Sequence, residues 1–222
     1  MDESILTETE KLLAQMQGVL ARVQAMEASR PNLLTVFEKF QLATGRFPTR
    51  DDFAIQLVAN IQEKLGIALH SKECIDIGCR SGENGIAMQQ AGAKVVGIDP
   101  DDSEFEVARQ KGMELYKTKL QEYQVNRKFD IATVFLWNIP FEERESFAAA
   151  LKQIIHPNGY VIIGYADEVY DKDPNINVLK LMETVFDRVD RFEFPDSINQ
   201  YMLVCASQET CKARNEHNRA QR

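Results

Sequence analysis

The chain has 222 residues and a formal net charge of −8 at pH 7. That is long enough for one domain with an extension, and too acidic for a surface that coats nucleic acid. Apolar residues at 44% and charged residues at 27% fit a globular protein and exclude a disordered or fibrous one.

The acidic start lacks the basic-then-apolar form of a signal peptide, and no apolar run approaches transmembrane length. Cys74, Cys79, Cys205 and Cys211 form no paired CxxC motifs. Cytoplasm, free thiols and no membrane partner are the expectations.

Residues 4–29 contain no proline, and Ile5, Leu12, Val19 and Met26 recur every seven positions, with Met16 and Val23 on the same stripe. This predicts an amphipathic helix. The stripe suits a helix lying on its own domain, or a coiled coil that makes a homodimer through residues 4–29. Arg30-Pro31-Asn32 ends it. A second helix is expected over 32–44. After the break at Gly45-Arg46-Phe47-Pro48, a third should open at Thr49, with Asp51 and Asp52 in its first turn, and run to about Lys64.

From residue 73 strands and helices alternate. Expected strands are Cys74–Ile77, Val95–Ile98, Met113–Tyr116, Asp130–Leu136 and Tyr160–Tyr165. Expected helices are Glu83–Gln90, Ser103–Lys111, Glu142–Ile155 and Asn175–Val185. Val189–Phe194 and Tyr201–Ala206 close the series, and the short linker between them predicts an antiparallel pair. The fold class is therefore α/β: a doubly wound, mostly parallel seven-stranded sheet with an antiparallel last strand, plus an N-terminal helical extension. The organisation reads as an amphipathic helix over 1–30, a helical cap over 31–70, a core over 71–206 and a flexible tail over 207–222.

Residues 73–82, Glu-Cys-Ile-Asp-Ile-Gly-Cys-Arg-Ser-Gly, run a strand into a glycine turn, and Asp99 ends the next strand. This is a nucleotide-binding βαβ unit. Gly78 and Gly82 lack a Cβ, so the backbone can turn sharply and come close to a ligand. The helix that follows points free amide groups at the site. Asp99 at a strand tip can accept two hydrogen bonds from adjacent ribose hydroxyls. The dinucleotide pattern Gly-x-Gly-x-x-Gly fails, because Arg80 and Glu83 stand where glycines belong, and no Walker loop exists. A nicotinamide-dependent reductase is disfavoured on that ground.

The turn resembles the first motif of the class I S-adenosylmethionine-dependent methyltransferases, an acid followed by Gly-x-Gly-x-Gly. Asp76, Gly78 and Gly82 match, and Arg80 replaces the middle glycine. Gly97-Ile98-Asp99-Pro100, Phe129-Asp130-Ile131 and His156-Pro157-Asn158-Gly159-Tyr160 follow in the family's order, so the resemblance covers roughly residues 70–206. It implies S-adenosyl-L-methionine as cofactor, held by Asp76, Gly78, Arg80, Gly82, Asp99, Pro100, Leu120 and Phe135. It also puts Asp76 near the methionine amino group.

Two departures stand out. Arg80 should adopt dihedrals that an ordinary residue tolerates. Its guanidinium either pairs with the methionine carboxylate, or points to solvent or to Asp76 or Glu83. After the third strand, Lys119 occupies the place of an acid that meets the adenine amine in this family. That contact falls to the Leu120 backbone or Gln121, or is absent, or the alignment slips to Glu122.

Acceptor-contacting residues should follow the fourth strand, over residues 135–141, and Tyr165, Asp167 and Glu168 after the fifth are either acid–base or acceptor-binding candidates or a solvated acidic loop. Asn138-Ile139-Pro140-Phe141 reads as a helix-entry turn. His70, His156 and His217 are not placed to act as a base, and no cluster has metal-ligand spacing. The expected function is methyl transfer to a small-molecule or sugar-containing acceptor. The alternative is a non-catalytic S-adenosylmethionine-binding assembly protein that associates through its N-terminal helix.

Overall fold

The structure, a computed structural model, describes residues 41, 43–123, 127–134, 139, 141–164, 178–194 and 201–206. The helix expected over 4–29, nearly all of the one over 32–44 and the tail over 207–222 lie outside the described residues. The chain divides into two compact units, Met1–Phe47 and Pro48–Arg222. The elements below belong to the second, and no described helix is long and apolar enough to cross a membrane.

Helix α1 (Arg50–Ala59) opens where Thr49 and Asp52 form a capping box. The Thr49 N–H donates to Asp52 Oδ2 at 2.7 Å, satisfying a group that the helix leaves free. The helix passes into a wider π-type turn (Asn60–Lys64), so helical structure reaches the predicted end at Lys64. Ala54, Leu57 and Ile61 are its buried stripe.

The seven strands are β1 (Glu73–Ile77), β2 (Lys94–Asp99), β3 (Glu114–Lys117), β4 (Phe129–Val134), β5 (Ile155–Gly164), β6 (Arg188–Glu193) and β7 (Tyr201–Ala206). They lie in the order β3-β2-β1-β4-β5-β7-β6. Neighbours from β3 to β5 pair in parallel. Strand β7 runs antiparallel to both β5 and β6, as the short linker predicts. Helices α2 (Glu83–Gln90), α3 (Phe105–Gln110), α4 (Arg144–Ile154) and α5 (Val178–Val185) complete the fold.

Successive strand residues feed opposite faces, because side chains alternate across a pleated sheet. Ile75, Val96 and Ala132 join a cluster with Phe147 and Leu151 of α4 and Met182 of α5. Their neighbours Cys74, Val95 and Ile131 join a second with Leu57 and Ile61, Ile86 of α2 and Phe105 of α3. Both faces of the central strands are covered, which is why these strands read as near-continuous apolar runs. Cys74, Cys79 and Cys205 are free and buried.

At Ile155 and at Ser103 the boundaries differ from expectation. Ile155 starts β5 instead of ending α4: it pairs with Phe129, whereas Ile131 pairs with Tyr160, so residues 156–159 bulge out of the ladder. Ile155 is buried in either role, and tertiary pairing decides between them. Helix α3 starts at Phe105, later than Ser103, whose N–H donates to the Asp101 side chain at 3.0 Å in the turn that leads into it. Strand β4 is described only to Val134, so the predicted end at Leu136 lies outside the described residues.

The chain reverses its filling order between β1 and β4, whose crossover connections leave in opposite directions. In open parallel sheets the crevice beyond the carboxyl ends at such a point is where ligands bind.

Candidate functional site

A cavity of about 680 Å³ opens at that crevice. Ile77, Ile98 and Val134, at the carboxyl ends of β1, β2 and β4, line it together with the glycine turn, the segment after β2 and the turn after β3. Of the residues expected to hold a cofactor, Gly78, Arg80, Asp99, Pro100 and Leu120 line this space. Asp76 and Gly82 do not, and Phe135 lies outside the described residues. Tyr165, Asp167 and Glu168 also lie outside them.

The glycine turn is stitched to β2. The N–H groups of Gly78 and Cys79 donate to the Ile98 carbonyl at 2.8 and 3.2 Å, and the Arg80 N–H donates to Asp99 Oδ2 at 3.1 Å. Gly78 has φ of +75°, and a Cβ there would meet no atom within 4 Å. A ligand can therefore lie directly against this backbone. Gly82 is different: a Cβ at its φ of +81° would stand 2.6 Å from Ala108 Cβ. It is a packing position, where α2 starts against α3.

Asp99 is 7% exposed. Its Oδ1 accepts the Asp101 N–H at 2.9 Å while Oδ2 accepts from Arg80, so its carboxylate is held in one orientation. Each oxygen keeps a lone pair for a ligand hydroxyl.

Asp76 is 1% exposed, beneath the turn. Its Oδ1 accepts from the Thr133 hydroxyl at 2.8 Å and its Oδ2 from the Gly85 N–H at 3.2 Å. Burial pushes its carboxyl from 3.8 up to about 6, although those two hydrogen bonds pull the other way. A carboxyl raised in the folded state costs nothing below its unfolded value. Its cost grows as pH climbs from 3.8 to about 6 and is complete above that, on the order of 2–3 kcal/mol. Asp76→Asn should therefore be more stable than wild type at pH 7.5, with the advantage gone near pH 4. An asparagine can accept from Gly85 and donate to Thr133, whose hydroxyl then turns to the Ile75 carbonyl. Urea unfolding of both proteins at the two pH values checks this, and parallel pH profiles would refute it.

Arg80 corrects two expectations. Its φ is +47°, in the left-handed region that disfavours side chains, at a cost of roughly 1 kcal/mol. Its guanidinium reaches neither Asp76 nor Glu83: Nη2 pairs with Glu104 Oε1 at 2.5 Å. Arg50 at the start of α1 holds the other oxygen, Oε2, at 2.6 Å and touches Ser81 at 3.1 Å. Glu104 is thus gripped by two guanidiniums and a hydroxyl, which hold its carboxyl below the usual range, the Arg50 hydrogen bond foremost. Arg50 and Glu104 carry no motif, and their separation of 54 residues hides the pair from sequence reading.

Across the cavity, Leu120 opens a 3-10 turn (Leu120–Glu122) and is buried. As the first residue of that turn, its N–H has no acceptor within it. Lys119, at the place where an acid was expected, pairs with Glu143 at 2.7 Å. Glu143 ends a second 3-10 turn (Phe141–Glu143) that leads into α4, while Asn138 and Pro140 of the expected helix-entry turn lie outside the described residues.

The described residues fit an adenosyl cofactor: an open backbone at Gly78, an oriented acid at Asp99 and an apolar wall of Leu120, Val134 and Phe147. Comparison with known proteins points the same way. A methyltransferase-domain family model matches residues 74–159. The chain is 29% identical over 157 residues to a ubiquinone biosynthesis O-methyltransferase of Bordetella avium, covering 62% of this chain and 64% of that one. It is 29% identical over 109 residues to the protein of the same name from Haemophilus ducreyi, covering 43% and 45%. The chain thus spans less than two thirds of these relatives. A TehB-like S-adenosylmethionine-dependent methyltransferase from Corynebacterium glutamicum has the same fold, with a TM-score of 0.56 at 19% identity over 77% of this chain and 95% of that one. Motif, sheet order and these matches converge: residues 74–159 match a methyltransferase domain, set in a sheet with the fold of an S-adenosylmethionine-dependent methyltransferase.

Proposed function

We propose that the protein transfers the methyl group of S-adenosylmethionine to a small-molecule or sugar-containing acceptor, with oxygen as the receiving atom. The observation that carries this reading is the cavity at the crossover point, lined by the open Gly78 backbone and the oriented Asp99 carboxylate. The choice of oxygen is supported by the O-methyltransferase names of the two relatives.

The cofactor supplies an electrophilic methyl on a sulfonium. The residues of this chain orient it. Asp99 takes the ribose hydroxyls, and Pro100 and Leu120 bracket the base. Gly78 lets the methionine portion lie on the turn, and the Asp76 carboxylate beneath it complements the ammonium. Arg80 can exchange Glu104 for the methionine carboxylate, a trade between two like-charged partners. An oxygen acceptor must lose a proton, and Tyr165, Asp167 and Glu168 are the residues we propose for that step or for holding the acceptor.

Isothermal calorimetry with S-adenosylmethionine, followed by transfer of labelled methyl to fractionated small molecules, tests this. Binding with no transfer to any fraction would favour the second reading, a cofactor-binding assembly protein that dimerises through residues 4–29. Arg80 and Lys119 in place of a glycine and an acid support that alternative.

Arg80→Gly should leave folding stability within about 1 kcal/mol, because relief of the left-handed φ offsets an exposed ion pair of small value. Its affinity for S-adenosylmethionine should fall about five-fold or more, as expected for a lost guanidinium–carboxylate contact. Unchanged affinity would show that the guanidinium stays on Glu104.

A further inference from the structure

We propose that Glu143 accepts a hydrogen bond from the 6-amino group of the cofactor's adenine. The acid that reads the base would then come from the entry to the helix after β4, not from the turn after β3. This inference rests on the S-adenosylmethionine reading above.

Four observations lead there. First, the cavity wall beyond Asp99 and Pro100 is apolar: Leu120, Val134 and Phe147 belong to one buried cluster, with Ile139 packed against it. A flat purine fits such a wall, and its exocyclic edge must meet polar groups where the wall ends. Second, the polar groups supplied there by the segment after β3 and the entry to α4 are Thr118, Lys119, Gln121 and Glu143, of which Glu143 is the one anionic acceptor. The Lys119 ammonium has only donors, so it cannot accept from an amine. Third, the other acids lining the cavity, Asp99, Asp101 and Glu104, belong to the end of β2 and the segment after it, beside the glycine turn. Glu104 is held by Arg50 and Arg80, Asp101 by the Ser103 N–H, and Asp99 by the N–H groups of Arg80 and Asp101. Glu143 is, among the described lining residues, the carboxylate on the side of the turn after β3.

Fourth, Glu143 is already oriented. Lys119 Nζ donates to its Oε1 at 2.7 Å and Gln121 Nε2 to its Oε2 at 3.5 Å. A carboxylate offers about four lone-pair directions, so acceptor capacity remains after these two contacts. The Leu120 N–H, unused within its own turn, can donate to the adjacent ring nitrogen. A donor beside an acceptor is the pattern of adenine's edge. A 6-oxo purine would instead turn a carbonyl oxygen toward the carboxylate, two acceptors face to face. Lys119 thus stands where the acid was expected and pairs with the acid that replaces it.

The test is calorimetric binding of S-adenosylhomocysteine and its 6-oxo analogue S-inosylhomocysteine to the full chain and to two variants. Wild type should bind the 6-amino compound at least about ten-fold more tightly, as expected for a charge-assisted hydrogen bond set against a repulsion. Glu143→Gln can donate to a 6-oxo group, so its preference should shrink to near parity. Lys119→Met removes the ion pair and leaves the acceptor, so it should keep most of the wild-type ratio. A Glu143→Gln ratio equal to wild type would overturn the assignment, as would equal collapse in both variants. If wild type binds neither thioether, the cofactor reading itself fails and the assignment falls with it.

Discussion

Replacing Asp99 by alanine should lower the affinity for S-adenosylmethionine by about 100-fold or more while the chain stays folded. Two hydrogen bonds from ribose hydroxyls to a carboxylate in a nearly water-free position are worth about 3 kcal/mol together or more. The effect extends past the ribose. The Arg80 and Asp101 N–H groups lose their acceptor, so the glycine turn loses one of its ties to β2. The remaining ties, from Gly78 and Cys79 to the Ile98 carbonyl, are backbone bonds that the substitution leaves in place. The variant should accordingly melt cooperatively, only a few degrees below wild type. Asp101→Ala is the control: its carboxyl caps Ser103, so it should bind cofactor within a few-fold of wild type. Equal losses in the two variants would mean that general acidity of the cavity, and not the oriented Asp99, holds the cofactor.

The second large effect is on stability. Gly82→Ala places a methyl 2.6 Å from Ala108 Cβ and 3.1 Å from Met113 Sδ, at a φ of +81°. The left-handed conformation costs about 1–2 kcal/mol for any residue with a Cβ, and overpacking adds about 1–3 kcal/mol. Destabilisation of about 3 kcal/mol in urea unfolding is the expected result. Gly78→Ala has almost the same φ, +75°, but open space around the new methyl. It should lose only the conformational part, about 1 kcal/mol, and lose cofactor affinity instead, because its methyl enters the cavity. The pair separates two reasons for a glycine in one motif: Gly82 for packing, Gly78 for the approach of a ligand. If both variants lost equal stability, the packing role assigned to Gly82 would be wrong.

Both effects trace to a stretch that the sequence already marked. Helix α2 was legible to the residue, Glu83–Gln90, because its glycine turn and the Ala91-Gly92 stop are local signals. The strands were legible because a fully covered parallel sheet demands apolar runs, such as Cys74–Ile77, bounded by turns. The reversed β7 followed from a linker too short for a crossover. Asp99 and Gly78 were placed correctly at the ends of β2 and β1, since a strand, a turn and a helix in order put them on one edge of the sheet.

What lay beyond the sequence was decided by groups distant along the chain and close in space. Ile155 satisfies the apolar stripe of α4 and the ladder of β5 alike, and only pairing with Phe129 settles which it joins. Asp76 reads as one more acid in a motif, yet burial under the turn moves its carboxyl to about 6. Arg80 finds Glu104 because β2 delivers the start of α3 beside the glycine turn. Arg50 reaches the same carboxylate from a helix that precedes the sheet. Lys119 looked like a missing acid until the entry to α4 brought Glu143 against it. Periodicity and turn chemistry act within a few residues, so a sequence carries them openly. The partners of long charged side chains depend on which elements the sheet brings together, and that is settled only when the core has packed.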